Sequence, residues 1–428
     1  MLRRLTKSKK LVKDAKRLIP ALSQTFSKAP YSYVEGVYPT YLSKGKGSRV
    51  VDVDGNTYID YVLGLGPVIL GYNYKPVNDA IIKQLKNGIS FSIAHTLELD
   101  LSKEIQTIIP RADMVRFSKT GSDAGTGAVR VARAITKRNN IAYYGGGGVW
   151  HDWFIVLTSR NEGIPKILGK MIQKFNYNNI ESLKLLFEDW KGEVAAVYME
   201  PMMTTYPKNN FLRKVKNLAH KHGAILIFDE VVTGFRFALG GCQEMLNIEA
   251  DMTVFGKGIA NGMPLGAITG KQKYMEKFND VFFSTTYNGE TLSLAASMAV
   301  IHELKTKPVI KHCWKIGEKL MSGFNALSDE LEVDIKMEGL PIRSSIICHD
   351  KTDEPSLAMK SLFFQEMIQK GILFGPGYVL LSYSHSNDDI KKTLKAIKLR
   401  MQFVKKALKS NSVKKSLKGK IMKKVMTF

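Results

Sequence analysis

The sequence predicts an α/β fold built on a mostly parallel sheet with helices on both faces. Short apolar runs, VAAVYME at 194–200, AILIFDE at 224–230 and MTVFGKG at 252–258, alternate with helix-patterned segments. That rhythm belongs to a parallel sheet buried on both sides. The runs also end in charged residues, Glu200, Asp229 with Glu230, and Lys257. The carboxyl edge of such a sheet is where its sites lie.

Taken in order, residues 1–95 read as an N-terminal segment with a β-hairpin, because GSRVVDVDGNTYIDYVL (47–63) places two alternating apolar stretches around Asp54-Gly55-Asn56. Residues 96–304 carry the large sheet domain, 305–408 a smaller α+β domain, and 409–428 a basic tail. At 428 residues and 44% hydrophobic content the chain can bury a large core. No apolar run reaches the ~20 residues of a membrane span, and the basic start MLRRLTKSKKLVKDAKR lacks a signal peptide's apolar stretch. A cytoplasmic location follows as the expectation. Cys242, Cys313 and Cys348 show no paired or metal-binding spacing. The net charge of +24 is spread over the chain and densest in SNSVKKSLKGKIMKKVMTF (410–428). That tail reads as a solvated, poorly ordered extension, with a polyanion or membrane-surface role as the alternative. Nucleic acid is not an expected partner.

The charged strand ends carry the chemistry. Lys257, between Gly256 and Gly258, is placed for its amine to attack an aldehyde, while flanking glycines let a ring approach the backbone. The bland alternative is a turn lysine. Asp229 can pair with a pyridinium nitrogen and keep it protonated, and Val231 and its neighbours can lie against a ring. Thr120-Gly121-Ser122-Asp123-Ala124 precedes a helix at 128–133. Gly121 and Ser122 could cradle a phosphate there, although Ser-Asp is also an ordinary helix cap.

FDEVVTGFR (228–236), VFGKGIANGMPLGAITG (254–270), TTYNGET (285–291) and DVDGNTYIDYVLGLGPVILGY (52–72) together resemble the class III aminotransferases. The texture is that of the branch containing glutamate-1-semialdehyde aminomutase and spore-coat-type aminotransferases. The resemblance runs from about Tyr38 to Met401 and implies a fold type I, pyridoxal 5′-phosphate (PLP) transferase. It implies that Lys257 forms the Schiff base with PLP, Asp229 binds the pyridine nitrogen and Val231 packs on the ring. Gly121 and Ser122 then hold the phosphate. Thr286 reaches it from a neighbouring subunit, so the resemblance also implies a homodimer with shared sites.

Two departures matter. Where the family shows Tyr-His-Gly before Trp-His-Asp-Trp, this chain has a glycine run, Gly145 to Gly148, before Trp150. Either Trp150 takes over the ring stack, the favoured reading, or one ring face is uncovered. The segment ILFGPGYVLLSYSHSNDDI (372–390) lacks the aminomutase glutamate, and Leu65 replaces that enzyme's tryptophan. With no C-terminal arginine for an α-carboxylate, Arg236 and Arg343 are the remaining candidates, with a structural ion pair the equal alternative for each. The expected activity is transfer of an amino group from a donor such as glutamate to a keto or aldehyde acceptor. An aminomutase is the alternative, and a non-catalytic PLP-fold protein a third reading.

Overall fold

A computed structural model describes residues 3–145, 149–349 and 354–427. In chain order its strands are β1 (Leu42–Lys46), β2 (Arg49–Asp52), β3 (Thr57–Asp60), β4 (Met114–Ser118), β5 (Asn140–Tyr144), β6 (Ile172–Lys174) and β7 (Val194–Met199). They continue with β8 (Ile225–Asp229), β9 (Met252–Phe255), β10 (Gly266–Gly270), β11 (Ile335–Leu340), β12 (Arg343–Cys348), β13 (Ile372–Leu373) and β14 (Tyr378–Leu380). The chain divides into two compact units. One gathers residues up to Leu65, Ile69–Tyr74 and Lys311–Thr427, and the other Gly66–Val68 and Lys75–Ile310.

The second unit holds a seven-stranded sheet in the order β4-β10-β9-β8-β7-β5-β6. Strands β9, β8, β7, β5 and β6 pair in parallel, and β10 pairs antiparallel to both β4 and β9. Alternation along the strands feeds two cores. Ala196, Tyr198, Ile225, Ile227 and Val254 pack with Ala124, Ala128 and Val131 of the helix Gly121–Thr136. Val197, Met199, Leu226 and Phe228 pack with Leu183 and Leu186 of Ile180–Asp189 and Leu212 and Val215 of Phe211–Lys221. Burial on both faces is why these strands read as unbroken apolar runs.

In the first unit the expected hairpin forms around Asp54-Gly55-Asn56, with Val50 opposite Tyr58. Asp52 organises it: its carboxylate accepts from the Asp54 and Asn56 N–H groups at 2.9 and 2.8 Å and from the Tyr58 hydroxyl at 2.8 Å, while Gly55 takes φ +89°. β13 joins β3 in parallel, so a strand from near the C-terminus completes the N-terminal sheet. β11, β12 and β14 form a separate antiparallel sheet. A cavity of about 580 Å³ in this unit is lined by Tyr33, Tyr38, Tyr41, Tyr72, Asp60 and Leu65 among others, and neither Asp229 nor Lys257 lines it.

The expectation of a poorly ordered tail is corrected. The backbone N–H groups of Lys420 and Lys423 donate to the Glu35 and Tyr31 carbonyls at 3.0 and 2.8 Å. Met422 donates to the Ser361 hydroxyl at 3.0 Å and buries its side chain. Composition reports the exposed lysines, but the apolar residues between them decide the docking. Among the described residues no helix is long and apolar enough to cross a membrane.

Candidate active site

Because β5, β7, β8 and β9 run in one direction, their carboxyl ends bring Gly145, Glu200, Asp229 and Lys257 to one edge of the sheet. Asp229 is buried, and its two oxygens are held separately. Oδ2 accepts from the Tyr198 hydroxyl at 2.7 Å and Oδ1 from the Val231 N–H at 3.1 Å. Burial, then the charge of Glu200, pushes its carboxyl up to about 6, against the opposing pull of Tyr198, the Val231 N–H and Lys257. Its neighbour Glu230 points elsewhere. It accepts from the Thr233 hydroxyl at 2.5 Å and from the Cys242 and Gln243 N–H groups at 2.7 and 2.9 Å, and burial pushes it up to about 7. Glu230 therefore caps the start of the helix Gly241–Leu246.

Lys257 follows the extended Gly256 and takes φ +45°, a left-handed backbone that a lysine adopts only under constraint. The glycines around it are dictated by contact. A Cβ on Gly121 would stand 2.5 Å from Val231 Cγ2, and one on Gly256 would stand 3.3 Å from Val231 and 3.4 Å from the Gly121 nitrogen. Gly121, Val231 and Gly256 thus touch beside Asp229. The helix beginning at Gly121 is capped by Thr120, whose hydroxyl accepts from Asp123 N–H at 3.1 Å, while Asp123 returns a bond to Thr120 N–H at 2.9 Å. The cap is Thr120 with Asp123, not the Ser122-Asp123 pair, and Ser122 is left on the first turn at the helix's positive end.

Ser122 Oγ accepts from the Trp150 N–H at 3.3 Å. His151 Nδ1 and Trp153 Nε1 both meet Thr126 Oγ1, at 2.8 and 2.9 Å, so the Trp-His-Asp-Trp run is pinned to the helix that carries Ser122. The Trp150 indole stacks on His151 at 4.3 Å and remains 63% exposed. Gly146 to Gly148 lie outside the described residues. Thr286 is exposed in the turn after β10 and its following helix, near Glu290, which Lys119 holds at 2.9 Å. Neither arginine offered for a substrate carboxylate presents itself to solvent. Arg236 is buried with Nη2 on the Gly66 carbonyl at 2.8 Å, and Arg343 is buried with its guanidinium 4.2 Å from the Tyr378 ring centre.

Sequence reasoning missed Tyr198, Lys119 and Thr126. A lone phenol in an otherwise aliphatic strand was the one available signal, since a buried tyrosine hydroxyl needs a partner.

Residues 31–401 match the family described as aminotransferase class-III. The chain belongs to the class-III aminotransferases. It is 35% identical to the 3-aminobutyryl-CoA aminotransferase of Cloacimonas acidaminovorans (strain Evry), over 95% of this chain and 99% of that protein. It is also 35% identical to a glutamate-1-semialdehyde 2,1-aminomutase of Acetivibrio thermocellus, over 92% and 97%. Among solved structures, the PLP internal aldimine form of the FumI protein of Sphingopyxis sp. MTA144 superposes with a TM-score of 0.89 at 26% identity, over 95% of this chain and 98% of that one. This class-III chain is a PLP-dependent enzyme with the fold type I transferase architecture. Its own residues fit PLP. The close approach at Gly121 leaves room for no side chain, the helix start suits a phosphate, Asp229 is a buried carboxylate suited to a ring nitrogen, and Lys257 lies on the same sheet edge.

Proposed function

We propose that the enzyme transfers an amino group from a donor, glutamate first among them, to a keto or aldehyde acceptor. The observation that carries this reading is the contact of Gly121, Val231 and Gly256 beside buried Asp229 and constrained Lys257. PLP bound there supplies an electron sink for the substrate's α-carbon. Gly121 and Ser122 hold its phosphate, Asp229 keeps its pyridine nitrogen protonated, and half-buried Val231 lies against one ring face. Trp150, with its backbone already on Ser122, covers the other face by turning its indole off His151. Lys257 supplies the amine that retains the cofactor. With its amine free, Lys257 would be the base that moves the proton at the substrate's α-carbon.

The acting species is a homodimer in which Thr286 of each subunit completes the other's phosphate site. Exposed apolar side chains on the same unit support it: Ile89, Phe91 and Ile93 on one segment, and Phe282 and Tyr287 flanking Thr286 on the other. Isolated monomers rarely leave so many large apolar groups in water. The location is cytoplasmic, in keeping with three free, buried cysteines. The substrate class takes its first candidates from the relatives: a β-keto acyl-CoA as the acceptor, whose amination gives a 3-aminobutyryl-CoA-type product, or glutamate 1-semialdehyde as the single substrate in the aminomutase alternative. The strongly positive chain suits the anionic thioester.

Borohydride treatment of the PLP-loaded protein and peptide mass mapping should place the label on Lys257. A panel of amino acids should then convert the bound cofactor with glutamate among the active donors. Label on another lysine, or no conversion by any donor, overturns the reading. Turnover of a single substrate without a second partner selects the aminomutase.

A further inference from the structure

Asp229 is held by an element whose role the reaction as proposed leaves open. Tyr198 lies on β7, two residues before Glu200, and its register partner on β8 is Ile227. Alternation along β8 then brings Asp229 to the same face of the sheet. The phenol is fully buried and donates to Asp229 Oδ2 at 2.7 Å. Its ring is fixed edge-on by Trp153, centres 5.6 Å apart at 76°. Its oxygen occupies a notch that exists because Gly125 has no side chain: a Cβ there would stand 2.8 Å from the Tyr198 oxygen. Three elements, β7, the Gly121–Thr136 helix and the segment holding Trp153, therefore agree in aiming one hydroxyl at one carboxylate oxygen.

We infer that Tyr198 is a positioning residue for the cofactor. Its hydroxyl occupies Asp229 Oδ2 and keeps that carboxylate ionised and oriented toward the pyridine nitrogen, an inference that rests on the role proposed for Asp229. The need for such a donor lies in the surroundings. Asp229 is desolvated and faces the like charge of Glu200, with Glu230 next in the chain. Lys257 is the opposing cation, and a single backbone N–H bonds the other oxygen. A hydrogen bond to a charged group of this kind shifts its proton affinity by about one to two tenfold steps. Burial and the Asp229 charge raise the phenol's ionisation well above its ordinary range, so Tyr198 remains a donor at every working pH. It moves no proton of its own.

The test is Tyr198→Phe in the PLP-loaded enzyme, with Gly125→Ala as a second variant that displaces the hydroxyl from another element, and Asp229→Asn as the reference. PLP affinity is read by absorbance at about pH 6.5 and about pH 8.5, together with kcat and KM for the donor. Without the donor, Asp229 takes a proton more readily. PLP affinity in both variants should therefore fall about tenfold at the lower pH and markedly less at the higher. The acid limb of kcat should move upward with KM nearly unchanged. Weakening of equal size at both pH values marks a merely structural tyrosine and overturns the inference, as does wild-type behaviour in Tyr198→Phe while Asp229→Asn is impaired. Wild-type behaviour in Asp229→Asn overturns the underlying role of Asp229 instead.

Discussion

Adjacent acids on one strand end serve opposite purposes, and their surroundings decide which. Asp229 keeps one oxygen for a hydroxyl and one for a backbone N–H at the sheet edge, whereas Glu230 is enclosed by three donors from its own side of the chain. Both carboxyls are raised on folding, to about 6 and about 7. A raised acid binds more protons folded than unfolded, so its contribution to stability is full below the unfolded value and is lost as pH rises through the folded one. Buried His385, lowered to about 4, works in the opposite sense, but only below its unfolded value near 6.5. The PLP-free protein should therefore melt at falling temperatures from about pH 6.5 to about pH 8, and Glu230→Gln should flatten that slope. Calorimetry across the range checks it, and equal slopes would remove Glu230 as the source. Gly121→Ala sets a Cβ 2.5 Å from Val231. It should lower PLP affinity by about tenfold or more while leaving far-ultraviolet dichroism unchanged, as equilibrium dialysis can show.

Among the elements, the tail shows most plainly how charge can mislead. Its lysines face solvent while backbone bonds and Met422 tie it to the first unit. Gly419 passes so close to the chain beneath that a Cβ would stand 2.6 Å from the Glu35 carbonyl and 2.7 Å from Val34. Gly419→Val should therefore release the tail and cost about 1–3 kcal/mol. Brief trypsin digestion followed by mass spectrometry should find the wild-type tail protected and the variant clipped at Lys418 and Lys420. Equal cleavage would mean that the docking contributes little. Met422→Ala leaves the glycine alone and tests the apolar anchor by itself, with an expected loss of about 2–3 kcal/mol in urea.

For the molecule as a whole, the shared-site proposal makes a prediction that no single subunit can satisfy. Thr286→Val should weaken PLP retention without altering its own subunit's Lys257, and Lys257→Ala should abolish turnover. Mixed, the two variants form hybrids in which one site carries both changes and the other neither. Activity should return to about half that of the wild type per hybrid dimer. Subunit exchange confirmed by mass, with no activity above the sum of the homodimers, would end the shared-site reading.

What the sequence determined by itself is local and periodic. The apolar runs became β7, β8 and β9, the Asp54-Gly55-Asn56 turn became the hairpin, and the charged residues at the strand ends came together on one edge of the sheet. Four motifs in order sufficed for the family, which the match over residues 31–401 bears out. Tertiary structure decided which partners those residues meet. Pairing between β7 and β8 sets Tyr198 beside Asp229, and the turn after β8 sends Glu230 to a helix start. Two buried arginines that looked available for substrate are likewise committed to a carbonyl and a ring. Such pairings depend on register between strands far apart in the chain and on burial from both faces, and neither quantity is written in any one segment.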